Sequence, residues 1–334
     1  MNTTTNPQSI FVTGAGGFIG SHLVEHLARR GHRVRALVRY CSSGSVGLLA
    51  QISPSVLQDV DVVYGDVRDT EQMDALAAGC EAVVHLAALI GIPYSYEAPR
   101  SYVATNVTGT QNVLEAARRR DLTRVVVTST SEVYGTAQHT PIREDHRLHP
   151  QSPYAASKVA ADQLGLSYQR SFGLPVVVAR PFNTYGPRQS QRAVIPTIAA
   201  QVLSRGDGRI QLGATAPRRD LTFVEDTVEA FRLLVEAPHE SVAGETFNFA
   251  SGTSVTVGEL AQHIGELAGH GDVEVVRDSQ RLRPDSSEVL LLEGDASQAR
   301  ERLGWQPRTG LRDGLAKVLA YMRSRPVAPL TYCT

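Results

Sequence analysis

Short runs of apolar residues recur along the chain, and most are separated by stretches whose apolar positions follow helical spacing. The first run, 10–13, passes through a cluster of glycines into 21–30, where Leu23, Leu27 and their neighbours keep a 3.6-residue period. Further runs at 33–38, 60–64, 82–86, 124–129 and 176–179 predict strands, with helices at 72–78 and 107–119 among the connections. Strands that alternate with helices need right-handed crossovers, so the expected fold is α/β: a Rossmann-type, doubly wound parallel sheet. Beyond Pro181 the pattern turns irregular, with helices at 193–203 and 224–236, and this predicts a smaller, interleaved C-terminal lobe. The run at 246–250 reads as one more strand able to return to the first sheet. The expected division is 1–184 for the larger domain, with a return near 222–251, and 185–221 plus 252–334 for the smaller lobe. There is no internal repeat and no low-complexity segment.

Composition narrows the classes of function. The 334 residues are 42% hydrophobic and 20% charged, with a formal net charge of -1, which suits a globular enzyme and supplies neither a nucleic-acid groove nor a polybasic membrane patch. The polar stretch 1–9 carries no secretion signal, so the expected location is the cytoplasm. Cys41, Cys80 and Cys333 lack metal-type spacing and read as isolated reduced thiols; no metal is expected. The basic residues are almost all arginine, and the only lysines are Lys158 and Lys317. A position that keeps lysine in such a background needs a reason.

The sequence Gly14-Ala15-Gly16-Gly17-Phe18-Ile19-Gly20 stands where the first strand hands over to the first helix. Missing side chains let the backbone turn tightly and approach a pyrophosphate, while the helix N-terminus presents unpaired N–H groups. This predicts dinucleotide binding. The second strand ends at Val38 with no carboxylate for the ribose hydroxyls, and Arg39 with the serines after it suits a 2'-phosphate, which favours NADP over NAD. Asp66 and the Val67 N–H, after the third strand, are placed either to meet adenine or, for Asp66, to cap a turn.

Tyr154 and Lys158 are four residues apart and share a helix face. A neighbouring ammonium is expected to lower the phenol's pKa and make Tyr154 an acid/base for a substrate hydroxyl. Thr130, Ser131 and Glu132 follow the strand at 124–129, at the end where open α/β sheets bind ligands. Thr130 can bond the same hydroxyl, and Glu132 is a candidate base for a carbon acid.

Taken with His85-Leu86-Ala87-Ala88, the segment Arg180-Pro181-Phe182-Asn183-Thr184-Tyr185-Gly186-Pro187, Arg219-Asp220 and Leu303-Gly304-Trp305-Gln306-Pro307, these motifs resemble the extended short-chain dehydrogenase/reductase family across nearly the whole chain. Its members are nucleotide-sugar epimerases, dehydratases and decarboxylases, commonly dimers. The resemblance implies that Leu86, Ala87, Ala88, Lys158 and Pro181 join the cofactor site, and that Asn183, Arg219 and Arg283, with Arg192, hold a diphosphate. It also implies a homodimer formed by the helices at 107–119 and 154–171.

The triplet Thr130-Ser131-Glu132 is similar to GDP-mannose 4,6-dehydratases and UDP-glucuronate decarboxylases, whereas 4-epimerases usually carry small or apolar residues at the place of Glu132. The dTDP-glucose 4,6-dehydratases have an aspartate where this chain has Ser131, which leaves Glu132 or a water held by Ser131 to protonate the departing hydroxyl. The segments 88–96, which contains Ser95, and 187–196 are similar to hexosamine 4,6-dehydratases of legionaminic-acid type, implying a nucleotide-linked N-acetylglucosamine. UDP-glucuronate decarboxylation, 4-epimerisation and a non-catalytic cofactor-binding paralogue stay as alternatives.

Overall fold

The computed structural model describes residues 7–204 and 208–325. Seven strands form the main sheet: β1 (Ser9–Thr13), β2 (Arg33–Arg39), β3 (Val60–Gly65), β4 (Ala82–His85), β5 (Arg124–Thr128), β6 (Val176–Pro181) and a late return. Between β6 and that return lie β7 (Asn183–Tyr185), β8 (Arg209–Leu212) and β9 (Arg218–Phe223); the return itself is β10 (Thr246–Phe249), followed by β11 (Ser254–Thr256) and β12 (Glu274–Arg277). The sheet order is β10-β6-β5-β4-β1-β2-β3, parallel throughout, so the order reverses between β1 and β4. The expected doubly wound sheet is present, and the run at 246–250 does rejoin it.

A parallel sheet covered on both faces needs apolar side chains at successive positions, because alternate residues point to opposite sides. Ile10, Val12, Val84, Val126 and Val177 enter one core, with Leu23, Leu27, Phe231 and Leu234 from the helices Phe18–Arg29 and Val224–Glu236. Phe11, Val83, Val125, Val127 and Val176 enter the other, under the helices Thr70–Ala77, Gly109–Arg119 and Pro153–Phe172. Two small sheets, β11-β9-β7 and β12-β8, complete the strands. No helix among the described residues is long and apolar enough to cross a membrane.

One expected helix differs. The prediction at 107–119 begins too late, for the chain is already helical from Pro99 and passes through a π-turn at Val103–Thr108 before Gly109–Arg119. The extra residue in such a turn re-aims a side chain. Here the turn holds Asn106, whose amide accepts from Leu89 N at 2.8 Å and donates to Leu89 O and Ser157 Oγ, both at 2.9 Å.

Candidate active site

At the end of β1 the chain turns through Gly14, with φ +69, and Gly17 N bonds Gly14 O at 3.0 Å. A Cβ on Gly14 would lie 2.7 Å from Ala87 N, and one on Gly20 would strike the Gly14 carbonyl, so this turn accepts only glycine at both positions. Gly17 brings no side chain to cap the helix Phe18–Arg29, which leaves the first N–H groups, those of Phe18 and Ile19 among them, directed at the turn. The cradle fits a pyrophosphate. Thr13 Oγ1 accepts from Ala87 N at 3.1 Å and meets His85 Nδ1 at 2.8 Å, and Leu86 N bonds Thr13 O at 3.3 Å, so 85–88 is fastened beside the glycines. The loop after β2 folds over the turn through Leu48 N and Gly16 O, 2.9 Å, and the exposed Arg39 stands where β2 enters it.

The Asp66 carboxylate accepts from Arg68 N at 3.0 Å and Arg68 Nε at 2.9 Å, and these bonds hold its pKa below the usual value. Val67 is buried, with its carbonyl bonded by Asn112 Nδ2 at 3.0 Å. Cys41 and Cys80 are free thiols; Cys333 lies outside the described residues.

The catalytic helix Pro153–Phe172 has a built start and stop: Ser152 accepts from Ala155 N at 3.1 Å, Pro153 occupies the first turn, and Gly173 ends it at φ +68. Tyr154 therefore sits in the first turn, with Lys158 one turn on. Across from them, Thr130 begins a short turn over Ser131–Tyr134, its Oγ1 accepting from Glu132 N at 3.2 Å. Thr130 lies close enough to Tyr154 for its side chain to act on the phenol, and the charge of Glu132 acts on both Tyr154 and Arg219. Thr130, Glu132 and Tyr154 are thus brought together, although 24 positions separate Thr130 from Tyr154. Ser131 is buried beside them.

The expected lowering of the Tyr154 pKa is reversed in the protein itself. Burial raises the phenol, and Thr130 opposes the rise while Glu132 adds to it. Lys158 is desolvated too, which brings it down to about 8 against the opposing charge of Asp162, and its ammonium donates to the Thr128 carbonyl.

The residues expected to bind the diphosphate divide. Arg219 and Arg283 converge on one carboxylate, Glu288, at 3.0 and 3.6 Å, and burial lowers the Arg219 pKa. Asn183 Oδ1 is buried without a hydrogen-bond partner, and Arg283 Nη1, also buried, has the ion pair with Glu288 in place of a hydrogen bond. Arg192 is exposed, and Ser95 is fully buried with its hydroxyl donating to Ile92 O at 2.6 Å. Sequence reasoning missed Asn106, Asp162 and Glu288; only the spacing of Asp162, one helical turn after Lys158, offered a signal.

Ligands of open parallel sheets collect at the strand ends beside the reversal of order, and both the glycine cradle and the Tyr154–Lys158 pair lie along that edge. Fold and site together define a dinucleotide-dependent enzyme of the short-chain dehydrogenase/reductase class. The family model described as GDP-mannose 4,6 dehydratase matches residues 11–318. A dTDP-glucose 4,6-dehydratase of Streptomyces niveus is 36% identical over 94% of this chain and 92% of that protein. A UDP-glucose 4-epimerase of Mycolicibacterium smegmatis is 35% identical over 94% and 98%. Among solved structures, the dTDP-glucose 4,6-dehydratase DesIV from Streptomyces venezuelae, determined with NAD bound, superimposes with a TM-score of 0.84 at 30% identity over 95% of this chain and 97% of that one. The chain belongs to the GDP-mannose 4,6-dehydratase family. It is an enzyme, and it depends on a nicotinamide cofactor.

Proposed function

We propose that the protein is a nucleotide-sugar 4,6-dehydratase whose substrate is a nucleotide-linked N-acetylglucosamine. The observation that carries this reading is the buried carboxylate of Glu132, held next to the Tyr154–Thr130 pair in the turn after β5. Oxidation at carbon 4 needs an acid/base for one hydroxyl; elimination needs, in addition, a base for the proton on carbon 5. Tyr154, with Thr130 beside it, takes the 4-hydroxyl proton. A nicotinamide cofactor, which the glycine turn at 14–20 and Lys158 would hold, would supply the hydride acceptor for carbon 4 and the hydride donor for carbon 6. Glu132 takes the carbon-5 proton made acidic by the 4-ketone, and the 6-hydroxyl leaves as water, protonated by Glu132 or through a water on Ser131. As carbon 6 takes the hydride, carbon 5 regains a proton equivalent to the one Tyr154 took from the 4-hydroxyl, so the balance is the loss of one water, without net oxidation. Arg219 and Arg283 hold the diphosphate through their planar donor forks, and the Asn183 amide N–H donates to the same group.

The sugar assignment is supported by the segments 88–96 and 187–196, and NADP in preference to NAD by Arg39 and the absence of a carboxylate at Val38. A homodimer through the helices Gly109–Arg119 and Pro153–Phe172 is supported by Phe172, which stays 56% exposed at the end of the second. Mass spectrometry of the purified enzyme with UDP- and GDP-N-acetylglucosamine, GDP-mannose, dTDP-glucose and UDP-glucuronate, each with NADP or NAD, tests the reading. Loss of one water from a hexosamine nucleotide is expected. Loss of carbon dioxide from the glucuronate, or an epimer of unchanged mass, overturns dehydration. Glu132→Gln is expected to keep single-turnover cofactor reduction and lose water elimination; dehydration at the unmutated rate would remove Glu132 from the role of base.

A further inference from the structure

The turn that carries Thr130, Ser131 and Glu132 is gripped at both ends, by Lys158 and by groups that the proposed chemistry does not use. At its start, Lys158 donates to the Thr128 carbonyl, and one helical turn further on Asp162 accepts from Ser129 Oγ at 2.8 Å. Two neighbouring side chains of the catalytic helix thus hold two consecutive residues of the strand end. Arg180 of β6 reaches Asp162 Oδ2 through Nε at 3.1 Å and Nη2 at 3.0 Å. Its remaining Nη1 donates to the Tyr134 hydroxyl at 2.9 Å, and its guanidinium lies 5.0 Å from the centre of the Tyr134 ring. Tyr134 closes the turn. Its hydroxyl donates to Asn248 Oδ1 of β10 at 2.7 Å, and Asn248 Nδ2 donates to Ile142 O at 3.1 Å. Ser129, Tyr134, Asp162, Arg180 and Asn248 are between 0% and 4% exposed.

A buried ion pair is a poor source of stability, because the desolvation of two charges offsets most of their attraction, and apolar packing of the same volume does as well. What it does supply is direction: three guanidinium donors in a rigid fork fix the separation of Asp162 from Tyr134. We propose that Asp162 and Arg180 are positioning residues that clamp the 128–134 turn from both ends, so that Thr130 and Glu132 face Tyr154. The clamp also has an electrostatic side. Lys158 faces Asp162 on its own helix and His85 on β4; Tyr154 faces Thr130, Glu132, Tyr102 and Asp162; Asp162 in turn faces Arg180. The Asp162 carboxylate favours the protonated forms of both Lys158 and Tyr154.

This inference rests on the reading of Tyr154 and Glu132 given above. The test uses the full-length enzyme and three near-isosteric variants: Ser129→Ala, which removes the donor to Asp162; Tyr134→Phe, which keeps the ring and removes the hydroxyl; and Asp162→Asn. Misplacement of the turn is expected to lower kcat for water loss roughly 10- to 100-fold in Ser129→Ala and Tyr134→Phe, with KM for the sugar nucleotide within about twofold. In Asp162→Asn both limbs of the kcat–pH profile are expected to move to lower pH, because Lys158 and Tyr154 lose the anion that favours their protons. A purely structural role would change the melting temperature and leave kcat and the profile of the folded fraction unmoved. Should Asp162→Asn fail to fold, the other two variants decide. If Glu132→Gln dehydrates normally, the functional reading itself fails. If it is inactive while all folded clamp variants keep the unmutated kcat and pH profile, the positioning inference alone is overturned.

Discussion

Lys158 occupies a place that an arginine could not fill. It is 4% exposed, donates to a main-chain carbonyl, and is brought by burial to about 8, a range in which a lysine exchanges its proton and a guanidinium does not. Scarcity alone pointed equally at Lys317, which is half exposed and pairs with Glu225 at 3.0 Å; what separated the two was order, because Tyr154 precedes Lys158 by four residues whereas Tyr321 follows Lys317. The arginines needed tertiary structure to be told apart. Arg219 and Arg283 share Glu288, while Arg192 stands in solvent. A charged hydrogen bond contributes about 1.5–3 kcal/mol, so Arg219→Gln should raise KM for the sugar nucleotide roughly 10- to 100-fold while the affinity for the nicotinamide cofactor is kept. Steady-state kinetics paired with a cofactor titration checks this, and an unchanged KM would remove Arg219 from the diphosphate site.

Elements carry the second level of organisation, and β4 illustrates it. His85 ends that strand with both ring nitrogens engaged, Nδ1 with Thr13 at 2.8 Å and Nε2 with Thr110 at 3.0 Å. The Thr110 hydroxyl donates to Asn106 O at 2.6 Å, so His85 Nε2 carries the proton and Nδ1 accepts from Thr13. This joins the glycine cradle of β1 to the helix that follows the π-turn. Burial lowers the His85 pKa to about 3, against 6.5 for the free side chain. The unfolded chain therefore binds the extra proton first, and this contribution to stability is complete above pH 6.5 and is lost as pH falls toward 3. Urea unfolding between pH 8 and pH 4 should show a slope that is shallower in His85→Gln, the histidine supplying up to about 1.4 kcal/mol per pH unit. Equal slopes in the two proteins would contradict a neutral, buried His85. The π-turn was invisible in the sequence because apolar spacing reports which face is buried, not where a hydrogen-bond ladder takes in one more residue.

At the scale of the whole molecule, the C-terminal region is fastened to the sheet through Trp305. It is 1% exposed, donates Nε1 to Asp226 O at 2.9 Å, and meets Phe249 edge to face at 5.1 Å. Asp226 then accepts from Arg308 N and Thr309 N, both at 3.0 Å. Trp305→Ala should cost about 3–5 kcal/mol of stability by equilibrium denaturation, with kcat and KM little changed below the transition, since Trp305 touches none of the site residues. A loss of activity without a loss of stability would place the tryptophan in the site's own machinery. What the sequence by itself determined were features with a short reach. Successive apolar residues in 124–128 and 176–179 demanded strands buried on both faces, the glycines between β1 and the first helix demanded a tight turn, and Tyr154 and Lys158 were bound to share a face because a helical turn places them so. Tertiary structure decided how those features meet. Desolvation reversed the expected shift of Tyr154, Arg180 and Asp162 met across 18 positions, Tyr134 and Asn248 across 114, and Glu288 came to lie between two arginines. Burial and proximity of this kind are properties of packed surfaces, and no local periodicity records them.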